Sequence, residues 1–68
     1  MTMEPDFYND KDIARKLNLS ASWVRGERHK RKRGLPHTLK VDPRYIGTCP
    51  RYVRGEIDAF VAAIAAAA

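Results

Sequence analysis

Hydrophobic positions fall into short clusters separated by polar punctuation, and most clusters carry their own start and stop signals. Ile13, Ala14 and Leu17 sit at the spacing that lines one face of a helix, leaving Lys11, Arg15 and Lys16 for water. Asn9 is an N-cap, Asp12 three positions on completes a capping box, and Tyr8 with Ile13 forms a hydrophobic staple. A helix is therefore predicted from Asp10 to Asn18. Ser20 repeats the signal as the next N-cap, with Leu19 before it and Val24 at the fourth helical position as a second staple.

Only two residues separate Leu17 from Ser20, so the two helices must meet at a sharp angle around Leu17, Leu19 and Val24, as in a helix-turn-helix. Beyond Trp23 and Val24 the second helix offers almost nothing apolar, and most of its surface is predicted not to be core. Gly34 stops it and Pro36 prevents its resumption. Thr38 to Val41 then alternate, placing Leu39 and Val41 on one face of a predicted strand, and Asp42 and Pro43 mark a turn. After an irregular stretch containing Gly47 and Pro50, Arg51, Tyr52 and Val53 form a second short strand, so that about 37–53 makes a hairpin, or wing.

Gly55 is placed to cap a third helix over about 55–66, with Glu56 and Asp58 near its positive end and Ile57, Phe60, Val61 and Ile64 as its apolar stripe. The closing alanines favour helix but carry little packing information. The predicted fold is mainly α with a small β-hairpin. It is one winged helix-turn-helix domain over 1–68, with three helices, a two-stranded wing and the helix-turn-helix at about 9–33. With 44% hydrophobic and 31% charged residues in a chain of 68, the core must be thin, and a large substrate pocket is not expected.

Charge sharpens the picture. The formal net charge is +5, and from Arg25 to Arg33 there are six basic side chains and one acidic one, while Glu4, Asp6, Asp10 and Asp12 cluster near the start. A charge run is ordinarily a solvated face. Here the cations crowd one short helix with only Glu27 nearby in sequence to neutralise them, which points to a partner that supplies the counter-charge. Nucleic acid is the leading polyanion, ahead of anionic lipid. Cys49 is the sole cysteine, so an intramolecular disulfide and a Cys-rich zinc site are excluded, which fits a reducing cytosol. With no leader-like opening and an apolar end too short to span a bilayer, a soluble intracellular protein is expected.

Enzymatic chemistry has little to draw on: no nucleophile elbow, no phosphate-cradling glycine loop and no spaced metal ligands. His29, His37 and Cys49 are too irregularly spaced for a metal site; His29 reads as facing phosphate, His37 as a surface residue and Cys49 as filling space. No cofactor, metal, small-molecule ligand or membrane contact is expected. DNA recognition fits better. A helix-turn-helix sets the N-terminal part of its second helix in the major groove, here Ser20, Ala21, Ser22, Arg25 and Gly26, with Arg28 and His29 a turn later.

Arg25 is the candidate for bidentate pairing with guanine, Ser22 for positioning, and Gly26 for close approach of the backbone at a cost to the helix of about 1 kcal/mol relative to Ala. Lys30, Arg31, Lys32 and Arg33 are assigned to phosphates. Arg44, Arg51 and Arg54 in or near the wing reach phosphates or the minor groove, with at least one of Arg51 and Arg54 in contact. Trp23 has two readings, core or contact, and core is expected; Tyr45 and Tyr52 share the ambiguity.

NDKDIARKLNLSASWVRGERHKRKRGLP followed by PRYVRGEIDAFVAAI resembles the winged helix-turn-helix domains of the MerR superfamily, and within it the small excisionase and AlpA-like proteins. The resemblance covers nearly the whole chain. It implies that Ser20, Ser22, Arg25 and Arg28 lie on or beside the recognition helix and Arg51 and Arg54 on the wing, and that no ligand-sensing domain follows. Trp23, Gly26, the RHKRKR run and a long connection from Asp42 to Pro50 depart from the pattern.

The function so implied is that of an excisionase, or recombination directionality factor. Such a protein binds duplex DNA at repeated sites, bends it and assists an integrase in excising a mobile element, with copies associating cooperatively on the DNA and with no catalysis of its own. It would act in a bacterial or phage-infected cytoplasm, in association with the nucleoid. The alternatives are an AlpA-like transcription regulator of a prophage or integrative element and, less favoured, an RNA-binding or protein-interaction module.

Overall fold

A computed structural model describes residues 6–67; Glu4, counted above in the acidic cluster, and the last alanine, Ala68, lie outside the described residues. The chain runs β1 (Phe7–Tyr8), α1 (Asp10–Leu17), α2 (Ala21–Lys32), β2 (Arg44–Ile46), β3 (Cys49–Val53) and α3 (Arg54–Ala67). It is mainly helical, with a three-stranded antiparallel sheet of order β1-β3-β2 in which β2 and the central β3 form a small hairpin. No helix among the described residues is long and apolar enough to cross a membrane.

The helix boundaries follow from local chemistry. Asn9 and Asp12 make the reciprocal capping box, with Asp12 N–H donating to Asn9 Oδ1 at 2.8 Å and Asn9 N–H to Asp12 Oδ2 at 3.0 Å. Asn18 ends α1 in the left-handed region at φ 58°, and the Leu19 and Asn18 N–H groups return to the carbonyls of Ala14 and Arg15 at 2.8 and 3.2 Å, the paired closure of a Schellman motif. Ser20 Oγ then caps α2 by accepting from Trp23 N–H at 3.1 Å. Gly34, at φ 73°, closes α2 in the same way, with Leu35 N–H on Lys30 O at 2.9 Å and Gly34 N–H on Arg31 O at 3.2 Å.

One small core serves the whole fold: Ile13, Ala14, Val24, Leu39, Val41, Tyr52 and Ile57, with Tyr8, Leu17, Trp23, Phe60 and Val61 packed against it. Trp23 is thus a core residue, as expected. The two hairpin tyrosines part company, Tyr52 being fully buried and Tyr45 58% exposed. Leu19, predicted to staple to Val24, remains half exposed.

Three expectations need correction. Thr38 to Val41 is not a strand. Leu39 and Val41 are buried as the alternation implies, but the Thr38 and Leu39 N–H groups donate to the buried Glu27 carboxylate, the latter at 3.1 Å, so two donors of a would-be strand are spent on a side chain. The hairpin lies further on, in the stretch read as irregular: Arg44, Tyr45 and Ile46 face Arg51, Pro50 and Cys49 across a two-residue turn, Gly47–Thr48, with Gly47 at φ 64°. Glycine at the first central position with positive φ is what a type II′ hairpin turn requires.

The third correction concerns α3, which begins at Arg54 directly after β3, so Gly55 sits in its first turn rather than capping it. The Arg54 N–H, one of the first-turn donors a helix leaves unpaired, is taken by Asp6 O at 2.9 Å, which makes a side-chain cap at that donor unnecessary. Asp6 precedes the unanticipated β1, whose Phe7 and Tyr8 pair with Val53 and Tyr52. Of the predicted stripe on α3, Ile57 is buried and Phe60 and Val61 pack on the core, but Ile64 is 44% exposed because the helix runs past the edge of this core.

Candidate nucleic-acid interface

Helix α2 has two faces, both charged. Val24, Glu27, Arg28 and Arg31 recur at i, i+3, i+4 and i+7, the spacing of a packing face, and they face inward. Arg28 makes a bidentate pair with Asp10 at the start of α1, at 2.6 and 3.1 Å, with both side chains less than a fifth exposed. Arg31 makes another with Asp42, Nη2 to Oδ2 at 3.2 Å, and its Nη1 lies 3.0 Å from His37 Nε2. Glu27, between them, holds the 38–39 backbone and stands 3.5 Å from Lys30 Nζ.

These pairings leave their mark on proton affinity. Hydrogen bonding to Asp10 raises the Arg28 pKa and hydrogen bonding to Asp42 raises that of Arg31. Arg31 in turn lowers Asp42. Burial pushes the Glu27 carboxyl up, but the two backbone N–H donors and Lys30 outweigh it and the pKa is lowered. Burial raises the Tyr52 phenol; its hydroxyl is enclosed without a hydrogen bond of good geometry, and the neighbouring Arg28 charge only partly offsets the loss of water.

The opposite face of α2 is open. Ser22, Arg25, His29, Lys32 and Arg33 are all exposed, and their spacing stacks them along one side of the helix with Gly26 in the same stripe. Arg25 Nη2 donates to Ser22 Oγ at 3.1 Å, which holds the guanidinium along the first turn. Arg25, Lys32 and Arg33 make no ion pair among the described residues. A Cβ added at Gly26 would meet nothing within 4 Å, so the fold itself does not require glycine there. Ser20 is exposed and occupied as the cap, and Ala21 is half-buried at the first helical position.

The three arginines in and just after the hairpin have different attachments. Arg44 bonds Glu56 of α3 at 3.0 Å, and Arg51, its cross-strand partner in register, donates to the Pro50 carbonyl at 2.8 Å. Arg54 is half-buried at the start of α3, where its charge helps lower the Asp58 pKa, although the bond from Lys16 is the larger cause. Cys49 is exposed on β3, not filling space. Between α2 and the hairpin runs a cleft lined by Arg28, Arg31, Lys32, Asp42, Pro43 and Tyr45.

Sequence reasoning treated Asp10 as a helix start and Asp42 as a turn residue and missed both as partners of the basic helix. No local signal marks them, since each is paired with a residue 18 or 11 positions away. Tyr45, ambiguous between core and contact in the sequence, and Ile46, which the sequence reading does not single out, are both 58% exposed; the Gly-Thr pair flanked by apolar residues is the signal that marks this tip. Among the described residues no three His, Cys, Asp or Glu side chains stand close enough to hold a metal ion. No protein-family model, no curated protein and no solved structure matches the chain.

Proposed function

We propose that the protein is a non-catalytic, winged helix-turn-helix module for duplex DNA, with α2 as the helix that enters the major groove and the β2–β3 hairpin as the wing. The observation that carries this reading is the outward stripe of α2. Ser22, Arg25, His29, Lys32 and Arg33 stand together in solvent with Arg25 oriented by Ser22, while the inward cations are matched by carboxylates of the same chain. An exposed arginine fork on the first turns of such a helix suits the two acceptors of guanine, and Lys32 and Arg33 further along suit phosphates. Arg28 and Arg31 hold the helix in place; if they also meet phosphate, they do so while sharing their charge with Asp10 and Asp42.

Within that class the resemblance to small excisionases of the MerR superfamily makes a recombination directionality factor the leading role. The protein would bind side by side on repeats and bend them for an integrase, with an AlpA-like promoter regulator as the other outcome of the same test. Bending costs on the order of 1–6 kcal/mol, which phosphate contacts and neighbouring copies must offset. Purified protein is mixed with fragmented DNA of the source genome at physiological salt, and the retained fragments are sequenced. Clustered direct repeats beside an integrase gene support the directionality factor, and promoter elements alone support the regulator. Retention no better than random duplex, or a preference for RNA over duplex at equal salt, sinks the sequence-specific reading.

A further inference from the structure

We infer that the β2–β3 tip is a wedge for the DNA minor groove, with Ile46 as the side chain that enters between stacked base pairs; this rests on the DNA-binding reading and deepens it. All three residues of β2 are exposed, and Tyr45 and Ile46 are 58% exposed at the end of an edge strand. Such a tip is a liability for a monomer in water, since an exposed apolar edge invites pairing with other chains. The type II′ turn at Gly47–Thr48 keeps the tip two residues wide, and Ile46 is the last strand residue before it.

The surroundings select the partner. From Pro43 to Gly55 there is no acidic residue, and Arg44 and Arg51 form the ladder pair behind the tip. Arg44 and Arg51 are directly opposite each other in the ladder, an arrangement of like charges that costs stability unless an anion lies against it. Glu56 meets Arg44 from α3, whereas Arg51 donates to a backbone carbonyl and makes no ion pair among the described residues. An apolar point backed by arginines matches the minor groove, where arginine is drawn to the negative potential and an apolar side chain unstacks a base step and kinks the duplex. A protein partner would have to bring its own acidic ring around an apolar socket.

The test uses the full chain and a duplex of about 30 base pairs carrying 2-aminopurine at the TA steps of a central alternating A·T block, because such steps unstack most easily. Binding is read by anisotropy and unstacking by 2-aminopurine fluorescence. Wild type is expected to raise the fluorescence and to kink the DNA by about 20° or more. Ile46→Ala should abolish both while binding within about threefold of wild type, and Ile46→Met should restore them; Ile46 is exposed, so an unchanged Tm is the folding control.

Cys49, the sole cysteine and the partner of Ile46 across the turn, supplies a second readout. Its thiolate should exchange with an activated disulfide tethered in the minor groove, displacing the leaving thiol to form a mixed disulfide, and not with one tethered in the major groove. Binding without unstacking, unstacking that survives Ile46→Ala, or trapping only from the major groove overturns the wedge and leaves DNA binding standing. Failure to bind duplex at all overturns both.

Discussion

The inward and outward faces of α2 have much the same basic composition and opposite fates. Arg28 and Arg31 are partly sheltered and clamped by Asp10 and Asp42, so they act as struts that dock α2 on α1 and on the chain entering the hairpin. Arg25, Lys32 and Arg33 stand in water with no carboxylate partner among the described residues. A count of basic residues overstates the interface, because some of the charge is already matched within the chain. What distinguishes the faces is whether a carboxylate from elsewhere reaches them.

Breaking a strut should have the largest effect. Arg28→Ala leaves Asp10 partly buried without its partner and is expected to destabilise the fold by about 2–3 kcal/mol, read as a fall in Tm of about 10–20 °C for a domain this size. Arg25→Ala should leave Tm unchanged and cost about 1–3 kcal/mol of binding, with relaxed selectivity at one base pair. If Arg25→Ala unfolds the protein, or Arg28→Ala only weakens DNA binding, the division between the faces is wrong.

Gly26→Ala separates stability from function on one residue. A methyl group there meets nothing in the fold, so the helix should gain about 0.5–1 kcal/mol while DNA binding weakens because the backbone can no longer come as close. Lys32→Ala is the mildest change on the outward face. It should weaken all sequences alike and reduce the salt dependence of binding by about one unit in the log–log slope.

Acid provides a check on the inward face. Glu27, Asp42 and Asp58 have lowered pKa values in the fold, so the native state holds fewer protons than the unfolded chain. The stability they contribute is fully present above their ordinary values of 4.5 and 3.8 and is lost as pH falls through the lower folded ones. Urea titrations should therefore show a flat region above about pH 5 and a decline below pH 4. Glu27→Gln should make that decline shallower.

The ends of α1 and α2 were legible because caps are local, whereas the start of α3 was not, its first donor being taken by the Asp6 carbonyl. Asn9, Asp12, Asn18, Ser20 and Gly34 act within a few residues of themselves, and each does what its type predicts. The first hairpin strand was misplaced because alternation at Leu39 and Val41 reports burial, and burial does not require a strand. The packing face of α2 escaped notice because hydrophobic periodicity cannot register a face built from Glu27, Arg28 and Arg31. Ser22, Arg25, His29 and Lys32 are exposed on α2, with Ser20 and Arg33 exposed at its two caps, whereas Arg28 and Arg31 turn to the chain itself.

By itself the sequence determined where α1 and α2 begin and end, that a basic excess sits on α2, and that no disulfide closes within the chain. Those properties depend on residues adjacent along the chain or on simple counts. Only the tertiary structure decided which cations remain open, where the sheet pairs, and which tyrosine is core and which is surface. The paired cations depend on carboxylates 11 to 18 residues away, and the sheet on partners as distant as Phe7 and Val53, where the chain path, not the local pattern, sets the distance.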